Sequence, residues 1–123
     1  MDKVFRLANM ADELLDLTLT LCGKDEEQNP RFPRLFYSNY VDRIIDTVLD
    51  IQENIIIANE DPSLGYSGRL ELQTRAKSKC VQLNHLIRVA WNKGWISDKQ
   101  QVRWQNLTTS IFWKIKHWID SAT

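Results

Sequence analysis

Chain breakers are scarce in this sequence, and they are clustered. The 123 residues include only 4 Gly and 3 Pro. They gather around Gly23, Pro30 and Pro33, around Pro62, Gly65 and Gly68, and at Gly94. Glycine and proline are the residues that end or kink regular elements, so a chain with so few of them has little material for turns and favours long helices. The breaks leave four long stretches, each with its own periodic apolar pattern. The length corresponds to one domain, large enough to hide roughly two-thirds of its unfolded surface. A hydrophobic fraction of 43% and a charged fraction of 26% are ordinary for a globular protein.

The first stretch predicts a helix over 2–22. Val4, Leu7, Ala8, Ala11, Leu14, Leu15, Thr18 and Leu21 recur at three- and four-residue steps, which places them on one helix face. Asp2 is suited to cap its start, and Gly23 to end it in the left-handed conformation. The polar segment 24–33 reads as a loop. A second helix is expected over 34–60, with a core stripe of Tyr37, Tyr40, Ile44, Val48, Ile51 and Ile55. Val41, Ile45, Leu49 and Ile56 form another apolar row beside it. At about 100° per residue the two rows cover about half the circumference. That is wider than one partner face needs: it means either deeper burial inside one bundle or, the favoured reading, a second contact with another subunit.

Asp61-Pro62-Ser63-Leu64-Gly65 breaks the chain, and Ser67 is a candidate cap for a third helix running to about residue 93. Its stripe is Leu72, Ala76, Cys80, Leu83, Ile87 and Ala90, with Trp91 at the edge. Arg75 and Lys79 flank one side, Lys77 and Arg88 the other. Gly94 closes this helix. Ser97-Asp98-Lys99-Gln100 then has the form of a capping box, opening a fourth helix to about residue 120 with Trp104, Leu107, Ile111, Ile115 and Trp118 on its core face. Short connections favour neighbouring helices of opposite direction, so the expected fold is all-α, an antiparallel up-down four-helix bundle in a single domain spanning 1–123.

The formal net charge of zero hides an asymmetry. Residues 1–62 hold 6 Lys+Arg against 13 Asp+Glu, and residues 63–123 hold 10 against 3, so the halves carry −7 and +7. Such a split implies two different surfaces, attraction between subunits, or acidic and basic helices lying side by side. The cations of the last two helices form the candidate nucleic-acid surface: Arg75, Lys77, Lys79, Arg88, Lys99 and Arg103. Trp113 projects away from the core face of the fourth helix, among Val102, Lys116, His117 and Lys99. A tryptophan in that setting can stack a nucleobase or anchor a protein interface.

Catalytic chemistry is sparse. Neither His85 nor His117 has the Glu three residues before it that carboxylate-bridged metal bundles use. Asp46, Asp50 and Glu53 share a face, which reads as solvated or salt-bridged before it reads as a cation site. There is no phosphate-binding glycine loop and no nucleophile motif. Cys22 and Cys80 are expected as buried thiols. The expectation is a protein without catalytic site, metal or cofactor. With no signal-peptide pattern and no apolar run near the ~18 residues of a membrane span, it is expected in the cytoplasm.

The chain also resembles a known family. Arg31-Phe32-Pro33-Arg34 is similar to the basic-Phe-Pro-basic signature before the second helix of accessory variability determinant (Avd) proteins. Arg43-Ile44, Leu49-Asp50, Glu53, Ile55-Ile56 and Ala58 follow in that family's register. Arg69-Leu70-Glu71-Leu72, the run from His85 to Ala90, Gly94-Trp95-Ile96-Ser97 and Trp118-Ile119 agree as well. Four-helix proteins encoded in ribosomal-RNA intervening sequences are the nearest similar group. The resemblance implies a homopentamer of four-helix bundles that binds nucleic acid and the reverse transcriptase of a diversity-generating retroelement. Such a protein serves mutagenic cDNA synthesis and retrohoming without being an enzyme. One departure is charge, since the family is strongly basic and this chain is neutral. The rival expectation is a protein-only oligomeric scaffold or adaptor that docks a partner through the second helix and Trp113.

Overall fold

The computed structural model describes residues 3–121, with side chains from Arg6 onward. The expected cap Asp2 and the side chain of Val4 lie outside the described residues. Within them the chain is all-helical: α1 (Lys3–Leu21), a 3-10 turn (Arg34–Phe36), a π-helical turn (Tyr37–Val41), α2 (Asp42–Glu60), α3 (Gly65–Asn92) and α4 (Asp98–Ser121). α1 packs on α2 and α4, and α3 packs on the same two helices. Each helix thus has two neighbours around one core.

That core follows from the stripes. Leu7, Leu14, Ile44, Ile51, Ile55, Leu83, Ile87, Trp104, Ile111 and Ile115 are fully buried. Truncating one such Leu or Ile to Ala costs about 2–5 kcal/mol, because transfer and cavity terms add. Two polar side chains on the stripes are buried with partners. The Trp104 indole donates to Thr18 Oγ1 at 3.0 Å, tying α4 to α1, and Thr108 Oγ1 donates to the Trp104 carbonyl. Cys22 and Cys80 are buried free thiols, and loss of hydration pushes both up to about 12.

The helix ends decide how far the sequence pattern extends. At the α3–α4 turn the expected chemistry is present in full. Gly94 adopts φ +77, Trp95 N–H bonds the Ala90 carbonyl and Gly94 N–H that of Trp91, the Schellman pattern. Ser97 N–H donates to Gln100 Oε1 at 2.8 Å, and Gln100 N–H to Ser97 Oγ at 3.2 Å. The Trp91 indole adds a bond to Asp98.

Elsewhere the ends differ from expectation. Gly23 is not left-handed; the positive φ values fall at Gln28, Gly65 and Gly94. The end of α1 is held by Arg31, whose guanidinium donates to the carbonyl of Thr20 in the last turn and to that of Lys24 in the loop beyond it. Helix α3 begins at Gly65, with Ser67 inside it and no side-chain cap. The predicted second helix is interrupted at its start. After Pro33 the backbone makes a 3-10 turn and then a π turn before α2 begins at Asp42. The cause is an aromatic cluster. Phe32 is fully buried, and its ring centroid lies 6.3 Å from Tyr40 and 5.4 Å from Trp95. Tyr40 Oη donates to the Leu86 carbonyl. Seating these rings against the α3–α4 turn takes precedence over regular α geometry.

Candidate nucleic-acid and partner surfaces

The six expected nucleic-acid residues do not form one patch. Residues 75 and 79 lie one turn apart on the flank of α3 that faces α2. Residues 77, 84 and 88 lie on the other flank, because steps of seven and four return to nearly the same angle at 100° per residue. Asn84 fixes which way that second flank points: its Nδ2 donates to Thr109 Oγ1 at 3.1 Å, and Gln105 Nε2 donates to its carbonyl at 3.0 Å. This flank therefore looks towards α4.

The two flanks differ electrostatically. Arg75 is held by Glu71 at 2.6 Å, and Lys79 Nζ lies 3.4 Å from Asp50 of α2. Both pairs are exposed to solvent, so each is worth well under about 1 kcal/mol of stability. They nevertheless place a carboxylate beside each cation. Lys77 and Arg88 make no ion pair within 4 Å among the described residues. Lys77 acts at longer range on Asp120. That carboxyl is held below its ordinary range first by the hydrogen bond from Lys116 at 2.9 Å, then by the charges of Lys116, His117 and Lys77. Lys99 and Arg103 lie elsewhere, on α4. Arg103 and Lys114 are about three turns apart on the edge turned to α1.

Between the α4-facing flank of α3 and α4 runs a shallow groove of about 210 Å³, lined by Val81, Asn84, Thr109, Phe112 and Trp113. Trp113 is 51% exposed, as its angle on the helix requires, and Val81 is 58% exposed. The Phe112 ring meets Trp113 edge to face at 5.3 Å, which steadies the indole at the groove wall. Val81 is a groove residue that the sequence reading did not single out; its signal was an apolar side chain opposite the core stripe of α3. Asn84 Oδ1 in the same groove is buried and has no hydrogen-bond partner. The groove neighbours of Trp113 are Val81 and Asn84 of α3 together with Thr109 and Phe112 of its own helix.

The apolar row of α2 is only partly outward. Val41 is 5% exposed and belongs to the core, so it does not present an outer contact. The π turn that seats Tyr40 carries Val41 inward with it. Ile45, Leu49 and Ile56 are half-buried, and Ile57, which the row did not include, is 45% exposed. On the acidic arc Asp50 is engaged by Lys79, and among the described residues no three His, Cys, Asp or Glu side chains converge as a metal site would need. His85 and His117 are exposed. No described helix is long and apolar enough to cross a membrane. No known protein family, curated protein or solved structure matches the chain.

Proposed function

We propose that this protein is a non-enzymatic accessory factor of a diversity-generating retroelement reverse transcriptase. It binds the polymerase and an RNA template or RNA–DNA hybrid as a homo-oligomer in the cytoplasm, in the manner the Avd resemblance implies. The observation that carries the reading is the α4-facing flank of α3. Lys77 and Arg88, without contact ion pairs among the described residues, border a groove with a half-exposed Trp113. Cations for phosphate beside an aromatic face for a base are what single-stranded nucleic acid requires. Lys99 and Arg103 add positive charge on the α1 side of α4. The half-buried Ile45, Leu49 and Ile56 with the exposed Ile57 supply the subunit contact.

The helices in this reading run alternately up and down. Supporting it, Tyr40 meets Leu86, Asp50 meets Lys79 and Arg69 meets Ala58, so rising numbers along the π turn and α2 face falling numbers on α3. Asn84 with Gln105 and Trp91 with Asp98 repeat that relation between α3 and α4. Titration of a structured RNA across a salt series tests the function. Affinity that falls as salt rises, together with co-purification of the polymerase, is the expected result. Absence of RNA binding at low salt refutes it and leaves a protein-only adaptor, whose docking site is the same Trp113 groove.

A further inference from the structure

A second concavity lies between the first turns of α1 and the last turns of α4. It has a volume of about 260 Å³ and is lined by Arg6, Leu7, Lys114, His117 and Trp118. Its composition is uneven in a useful way. Leu7 is 1% exposed, and Trp118 is half-buried against the core, so these two give an apolar wall fixed by the bundle itself. The other three lining residues are bases. No carboxylate lines the site among the described residues, and there neither Arg6 nor Lys114 makes an ion pair.

From this geometry we infer that the cavity is a binding site for a mononucleotide unit, a planar base carrying a phosphate. The base lies along Trp118 and Leu7, and the phosphate accepts from Arg6, Lys114 and His117. Arginine offers a forked donor set matched to phosphate, and lysine a point charge. A bare phosphate would leave the apolar wall wet, and a nucleoside would leave three bases unused. The volume falls just short of the roughly 300–1,000 Å³ of pockets for drug-sized ligands, which selects one nucleotide rather than two. The site uses none of the α3 cations, so it stands or falls separately from the proposed function. The nucleotide is either free or the 5′-phosphorylated end of a strand.

The test is nitrogen-15 NMR of the full chain titrated with AMP, adenosine and inorganic phosphate. AMP is expected to move the Trp118 indole and Leu7 amide signals in a saturable way, with adenosine and phosphate each about tenfold weaker or more. Arg6→Gln, at an exposed position, and Lys114→Gln are each expected to weaken AMP by about tenfold. Lys93→Ala, an exposed cation at the end of α3 that belongs to neither site, leaves it unchanged. A 5′-phosphorylated trinucleotide binding as tightly as AMP assigns the site to strand ends; AMP alone assigns it to free nucleotide. Adenosine binding as tightly as AMP, AMP shifts that survive both Gln variants, or no response to any phosphorylated probe overturns the inference.

Discussion

The two flanks of α3 offer the same pair of charges to very different neighbours. Arg75 and Lys79 look towards acidic α2 and each has a carboxylate beside it, at 2.6 and 3.4 Å. Lys77 and Arg88 look towards α4 with no carboxylate in contact among the described residues. Lys77 acts on Asp120 only at longer range, and beside them runs a groove of uncharged side chains that ends in an exposed indole. A count of cations along the helix treats the four alike. What separates them is the carboxylate in reach: Asp50 of α2 for Lys79 and Glu71 of α3 itself for Arg75. Of the acidic first half only Asp50 is seen to reach this helix, and Lys77 and Arg88 have no such contact among the described residues.

The largest expected effect breaks that comparison directly. Replacing Lys77 and Arg88 with Ala should weaken RNA binding by about a hundredfold at low salt and lower the log–log salt slope by about 2, one contact per residue. The same change at Arg75 and Lys79 should cost well under half of that on a logarithmic scale. Equal losses by fluorescence anisotropy would show that the paired cations are as available as the unpaired ones. Next comes Trp113→Ala. Loss of a stacking platform is worth about 1–3 kcal/mol, so about tenfold in RNA affinity is expected. The melting temperature should barely move, because the side chain is half-exposed.

The smallest effect sharpens the comparison from the acidic side. Asp50→Asn removes the partner of Lys79 and should convert its flank towards the other kind. RNA affinity is expected to rise by about twofold, while stability falls by less than about 1 kcal/mol, the range of a solvent-exposed pair. A loss of RNA affinity in that variant would mean that Asp50 contributes to binding in some way other than by neutralising Lys79.

How much of this was legible in the sequence depended on distance along the chain. The α3–α4 turn was readable in full, because Gly94, Ser97 and Gln100 act on one another within a few residues. The four apolar stripes were readable because period alone sets which side chains face inward. The start of α2 was not. The π turn exists to seat Tyr40 against Leu86 and Trp95, which are brought together only by the folded chain. The same packing turned Val41 from an expected outer contact into a core residue. Gly23 was given a role that Arg31 performs, since a guanidinium reaching back to the carbonyl of Thr20 leaves no local trace. At the candidate site, sequence placed the cations on two flanks and exposed Trp113 correctly. It did not show that Asp50 meets Lys79, nor that Val81 completes the groove, because both depend on which helices become neighbours.

The account rests on an oligomer that takes up RNA through charge on one face. Light-scattering mass determination of the purified protein, alone and with a structured RNA at low and at high salt, tests that claim most directly. The account predicts the mass of a pentamer of the 14.5 kDa chain, which gains RNA at low salt and loses it at high salt. A monomer whose mass RNA leaves unchanged at either salt would contradict it.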